Sequence, residues 1–157
     1  MNDSGNDPQQ VHGTRTQAAA TAEAKRLSSE IYDLLGVAGN VSEPGPGISA
    51  CGDRDPEKYF RTRHPWSLTG PSADELRTAL TRLKDGLPGR GWKIVSFGPN
   101  NSRNKSLTLT ADHDGKKFAV SAVLRERHKA GDPPPSLGVT LVSGCYEVPE
   151  GERVDGY

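Results

Sequence analysis

Between Trp92 and Pro149 the apolar residues recur at every second position in four separate runs. That period sends alternate side chains to opposite faces of an extended chain, so each run reads as a strand with one buried face. "WKIVSFG" (92–98) sets Trp92 and Ile94 against Lys93, Val95 and Phe97. "SLTLTAD" (106–112) turns Leu107, Leu109 and Ala111 one way and Ser106, Thr108 and Thr110 the other. "KFAVSAVLRER" (117–127) aligns Phe118, Val120, Ala122 and Leu124, and "SLGVTLVSGCYEVP" (136–149) aligns Leu137, Val139 and Leu141. Asp114-Gly115 reads as a hairpin turn between the second and third runs. Consecutive strands with no helix between them favour an antiparallel meander over a parallel doubly wound sheet.

Upstream the period lengthens. In "TRTQAAATAEAKRLSSEIYDLLG" (14–36), Ala20, Ala24, Leu27, Ile31 and Leu34/Leu35 fall on one helical face, which predicts a helix over 16–35 stopped at Gly36. "GPSADELRTALTRLKDG" (70–86) predicts a second. Ser72 and Glu75 form a capping box, Leu76, Leu80 and Leu83 make the stripe, and Gly86 ends it. "YFRTRHPWSLTG" (59–70) alternates with period two, and Pro65 places that strand at an edge or a bulge. "ISACG" (48–52) reads as a short strand. The predicted fold is α+β: an antiparallel sheet of about five or six strands with two helices packed on one face. Residues 1–14 read as a disordered polar tether, 15–149 as one domain, and 150–157 as a loose tail.

Apolar residues make up only 32% of the 157, against 18 glycines and 12 prolines, so the core is modest and a covalent staple would help it. Cys51, in "PGPGISACGD", and Cys145, in "LVSGCYEV", allow one pairing, 94 residues apart. A bond closing that loop contributes roughly 4–5 kcal/mol in the chain-entropy model. Two separate buried thiols fit the same count. The pair reads as a bridge, with Gly144 accommodating a bulge beside it, and a bridge places the chain outside a reducing cytosol. No apolar run is long enough to span a bilayer, and "NDSGNDPQQVHG" after Met1 has no signal-peptide core.

Twenty basic residues balance twenty acidic ones, which gives no support to nucleic-acid binding. Charge is uneven nonetheless: residues 58–105 hold 10 basic and 3 acidic side chains. Solvated faces explain this; the sharper alternative is a basic surface in which Arg61, Arg63, His64 and Arg77, with Tyr59, Arg82 and Lys84 nearby, grip an anionic ligand. The sequence carries no metal-ligand spacing, no phosphate loop and no nucleophile elbow, so no catalytic residue, metal or cofactor is assigned. "GLPGRGWK" (86–93) is a helix stop and turn, "DHDG" (112–115) a hairpin tip, and the sequons at Asn40 and Asn100 are chance-level matches.

The polar "NDSGNDPQQ" leader, the helix "AKRLSSEIYDLLGV" running into "VSEPGPG", and the late "LVSGCYEVPEG" together resemble the small exported envelope lipoproteins of high-GC Gram-positive (actinobacterial) bacteria. The resemblance implies an envelope domain of uncharacterised activity, held at the membrane only through a lipid-bearing cysteine that would precede this chain, and it supports the bridge. The functional expectation is a noncatalytic domain binding an envelope protein or an anionic surface component. Two alternatives accompany it. One is a small enzyme whose site gathers dispersed residues such as Asp112, His113 and His64; the other is a cytosolic regulator, which would require both thiols to be free.

Overall fold

A computed structural model describes residues 10–42 and 45–156. In chain order the elements are β1 (Val11–Thr14), α1 (Gln17–Leu35), β2 (Asn40–Val41), β3 (Gly47–Ser49), β4 (Tyr59–Thr69), α2 (Ala73–Gly86), β5 (Lys93–Pro99), β6 (Leu107–His113), β7 (Phe118–Arg125), β8 (Ser136–Ser143) and β9 (Cys145–Glu147). The sheet runs β1-β9-β4-β8-β7-β6-β5, and β2 and β3 also pair with β4. The fold is α+β as expected, but the sheet is larger than five or six strands and is mixed. β1 lies parallel to β9, while every other pairing is antiparallel.

The extra strands come from segments too short or too polar to show a period. Residues 11–14, read as the end of the tether, form β1, whose register on β9 runs from Val11↔Cys145 to Thr14↔Glu147. Residues 1–9 of that tether lie outside the described residues. The tail, expected to be loose, is tied down: Val154 N–H donates to Glu57 O at 2.9 Å, and Gln17 Nε2 donates to Asp155 O at 2.6 Å.

Both helices pack on the same face of the sheet. Leu27, Ile31 and Leu35 of α1 and Leu76, Leu80 and Leu83 of α2 share one core with Trp66, Leu109, Val120, Leu124 and the inward row Leu137, Val139 and Leu141 of β8. A smaller core of Ala20, Phe60, Tyr146 and Val148 lies by β9. Thr16 caps α1, accepting the Ala19 N–H at 3.0 Å, and Gly36 ends it in the left-handed region at φ 69°. The capping box of α2 is formed, Ser72 N–H donating to Glu75 Oε1 at 2.8 Å and Glu75 N–H to Ser72 Oγ at 3.2 Å. Gly86 is the last residue of α2, as expected, and leads directly into a 3-10 turn over Leu87–Arg90 that closes at Gly91, φ 95°. A side chain at Gly86 would press on Leu34 of α1, so that glycine serves close helix packing.

Two shifts within antiparallel pairings, besides the one between Val11 and Thr14 on β1, reset the alternation. Between Ile94↔Ala111 and Ser96↔Thr110, Val95 is an extra residue on β5. Phe97, expected on the face of Lys93 and Val95, therefore packs against the main core, while Val95 is left 56% exposed. Between Arg63↔Val142 and Phe60↔Tyr146, residues 143–145 stand opposite only 61–62 of β4, which puts the expected bulge at Gly144. β4 is interior, not an edge, yet Pro65 fits. Ser67 bonds outward to Ser42 of the β2 segment, and two residues back on that same side Pro65 falls between the stretches that β2 and β3 cover. The hairpin after His113 takes four residues instead of the expected two, with the left-handed position at Lys117, φ 61°.

Candidate functional site

Cys51 and Cys145 are bonded, their Cα atoms 5.9 Å apart and both residues fully buried. The bond fastens the chain just after β3 to the start of β9. β3 in turn pairs with Arg61–Arg63 of β4, so Gly47–Ser49 is held against the outer flank of β4 with Gly45 and Pro46 directly before it. Beside that flank lies a cleft of about 410 Å³ between α1, β4, Gly45 and Pro46.

One wall of the cleft is a helix face. Lys25, Ser29 and Asp33 follow one another at i, i+4 and i+8, and Ser28 and Tyr32 lie at i+3 and i+7 from Lys25. The floor is the inward face of β4. Period two along Phe60, Thr62, His64, Trp66 and Leu68 directs His64 and Trp66 towards α1. The far wall is Val41, Ser42, Gly45 and Pro46.

At the floor one hydroxyl joins helix and sheet. Ser28 Oγ lies 2.8 Å from His64 Nδ1 and accepts the indole N–H of Trp66 at 3.2 Å. Ser28 is only 6% exposed and Trp66 5%, so this hydroxyl provides a polar partner for an indole donor that burial would otherwise penalise by about 1–3 kcal/mol. After accepting from Trp66 the serine keeps one proton and one lone pair. It can therefore meet His64 as donor or as acceptor, and the contact survives either charge state of the imidazole.

The other side chains singled out in the sequence lie elsewhere. Arg61 and Arg63 occupy the opposite face of β4 from His64. Arg61 Nη2 approaches Cys145 Sγ at 3.9 Å at one end of a sheet-face hollow of about 450 Å³, and Arg63 is exposed. Arg77 bonds Asp74 at 2.8 Å and Glu126 at 2.6 Å, contacts that raise its pKa, with the Glu126 hydrogen bond the largest cause. Arg82 donates to Leu35 O at 3.0 Å and Gly36 O at 3.2 Å, capping the end of α1, and Lys84 pairs with Asp85 at 3.2 Å. The four candidates therefore do not form one basic patch.

His113 lies edge-on to Trp92, ring centroids 5.2 Å apart, and its Nδ1 accepts the Lys116 N–H at 3.0 Å. It sits on β6, three strand steps from β4 and roughly 14 Å away at ordinary strand spacing. Asp112 and His113 thus do not join His64. Among the described residues no three His, Cys, Asp or Glu side chains converge in a way that could hold a metal, and no helix is long and apolar enough to cross a membrane.

Ser28, Tyr32 and Trp66 are site residues that the sequence reading did not pick out. A usable signal was present at Ser28. It stands four residues after Ala24 and three before Ile31, inside the apolar stripe, and a hydroxyl at a core-facing position requires a partner. No protein-family model, curated protein or solved structure matches the chain.

Proposed function

We propose that this chain is a noncatalytic binding domain of the cell envelope, carried on a lipid-bearing cysteine ahead of it, and that it holds an envelope component in the cleft between α1 and β4. The observation that carries the reading is the Ser28–His64–Trp66 group at the cleft floor, where fixed polar groups meet a half-buried tyrosine in a hollow of about 410 Å³. That size and mixture suit a ligand site. The Cys51–Cys145 bond supports an oxidising location.

The test is a titration of isotope-labelled protein with solubilised envelope extract, followed by amide and indole NMR signals. Shifts concentrated at Ser28, Ser29, Tyr32, His64 and the Trp66 indole are expected. Shifts confined to Arg61, Arg63 and the open sheet face would contradict the cleft and return the site to the basic surface.

The short Ser28–His64 contact favours one other reading, a serine hydrolase. Against it, the Ser28 hydroxyl already accepts the Trp66 N–H, and its place inside α1 leaves the neighbouring backbone N–H groups in helical bonds, unable to receive an oxyanion. Turnover of p-nitrophenyl acetate that disappears in Ser28→Ala would establish the hydrolase instead.

A further inference from the structure

The cleft is amphipathic in a specific way. Its rim on α1 carries one cation, Lys25, and one anion, Asp33, two turns apart on the same face. Among the described lining residues these two opposite charges balance, so the α1 rim selects neither an anion nor a cation by net charge. Between them lie groups able to hydrogen-bond: the Ser29 hydroxyl, the Tyr32 phenol, and the floor of Ser28 and His64. Apolar surface comes from the Tyr32 ring, the Trp66 edge and Pro46. A purely apolar ligand would cover the Ser29 and Tyr32 hydroxyls without offering them a partner, at a cost for each polar group buried unpaired. A ring with an apolar C–H face and a hydroxyl edge satisfies both kinds of wall.

We infer that the α1–β4 cleft binds a neutral sugar ring, its C–H face against Tyr32 and Pro46 and its hydroxyls on Ser29, Asp33 and the Ser28–His64 floor. This inference rests on the cleft being the ligand site and narrows that reading to a chemical class. The volume of about 410 Å³ holds one or two rings, whether they arrive as free sugar or as the end of a polymer.

The experiment is an NMR titration of the oxidised chain with glucose, galactose, N-acetylglucosamine, maltose and cellobiose, with inorganic phosphate as the charged comparison. At least one sugar is expected to shift Ser29, Tyr32 and the Trp66 indole, with an affinity unchanged when sodium chloride is raised, because a neutral ligand is not screened. Ser29 is exposed, so Ser29→Tyr fills the cleft without touching the core; it is expected to weaken that sugar at least tenfold, while Arg63→Ala on the opposite face leaves it unchanged. A longer oligomer binding more tightly than its monomer assigns a polymer end, and equal affinities assign a free sugar. The inference is overturned if no sugar shifts the cleft, if phosphate shifts it more strongly, or if Ser29→Tyr binds as well as the parent. Should envelope extract still shift the cleft when every sugar fails, the ligand class is wrong and the cleft remains the site. Should neither shift it, both readings fall.

Discussion

Gly144 shows how much one absent side chain decides. It stands in the bulge between β8 and β9, directly before Cys145, and a Cβ there would collide with the His12 ring on β1. Gly144→Ala must therefore displace the His12 ring, push β1 off β9 or strain the bulge, and is expected to cost roughly 1–3 kcal/mol in urea unfolding with the disulfide intact. Gly98→Ala on β5, where an added Cβ meets nothing within 4 Å, is the matched control and should change little. Equal stabilities for the two variants would show that the His12 contact has no energetic weight. The bulge at Gly144 was legible because a glycine interrupts an alternating run beside a cysteine. The one at Val95 was not. Its only signature is that Phe97 needs burial while simple alternation exposes it, and that conflict appears once the pairing with β6 is known.

At the scale of elements, periodicity and capping chemistry marked both helices and the long strands, because Leu76, Leu80, Ser72 and Glu75 act within one helix. β1, β2 and the ordered tail escaped notice because their order comes from distant partners. Val11 is a strand residue only because β9 lies beside it, and Val154 is held by Glu57 O. The cleft was hidden for the same reason, since Ser28 and His64 are 36 residues apart and meet only after α1 docks on β4. α1 is also fastened by charge. Glu23 pairs with Arg26, with Arg15 at 3.5 Å and with Lys116 at 3.8 Å, joining the helix to β1's end and to the β6–β7 hairpin. Burial alone would push the Glu23 carboxyl up, but Arg26, Lys116 and Arg15 outweigh it and hold it below the ordinary 4.5. A carboxyl lowered in the folded state adds stability that is complete above about 4.5 and is lost as pH falls through the lowered folded value. Glu23→Gln is thus expected to flatten the acid limb of a stability profile taken between about pH 6 and pH 3. A variant profile parallel to the parent's throughout would show that the network contributes nothing.

Across the whole molecule, a sheet of many short strands and two helices encloses a modest core, and its outermost pieces depend on links between residues far apart in sequence. β3 is three residues long, and Gly45 and Pro46 directly before it line the cleft. What keeps it there is its short ladder to β4 and the Cys51–Cys145 bond, with both sulfurs in fully buried residues. The proposed site and the proposed compartment therefore rest on the same covalent link. The most direct measurement is the intact mass of the chain recovered from its own cells, with an alkylating reagent present under denaturing conditions from the moment of lysis and no reductant. The expected result is a single species without adduct, which gains two alkyl groups only after reduction. Two alkyl groups added before reduction would contradict the oxidised state in the cell, and with it the envelope assignment.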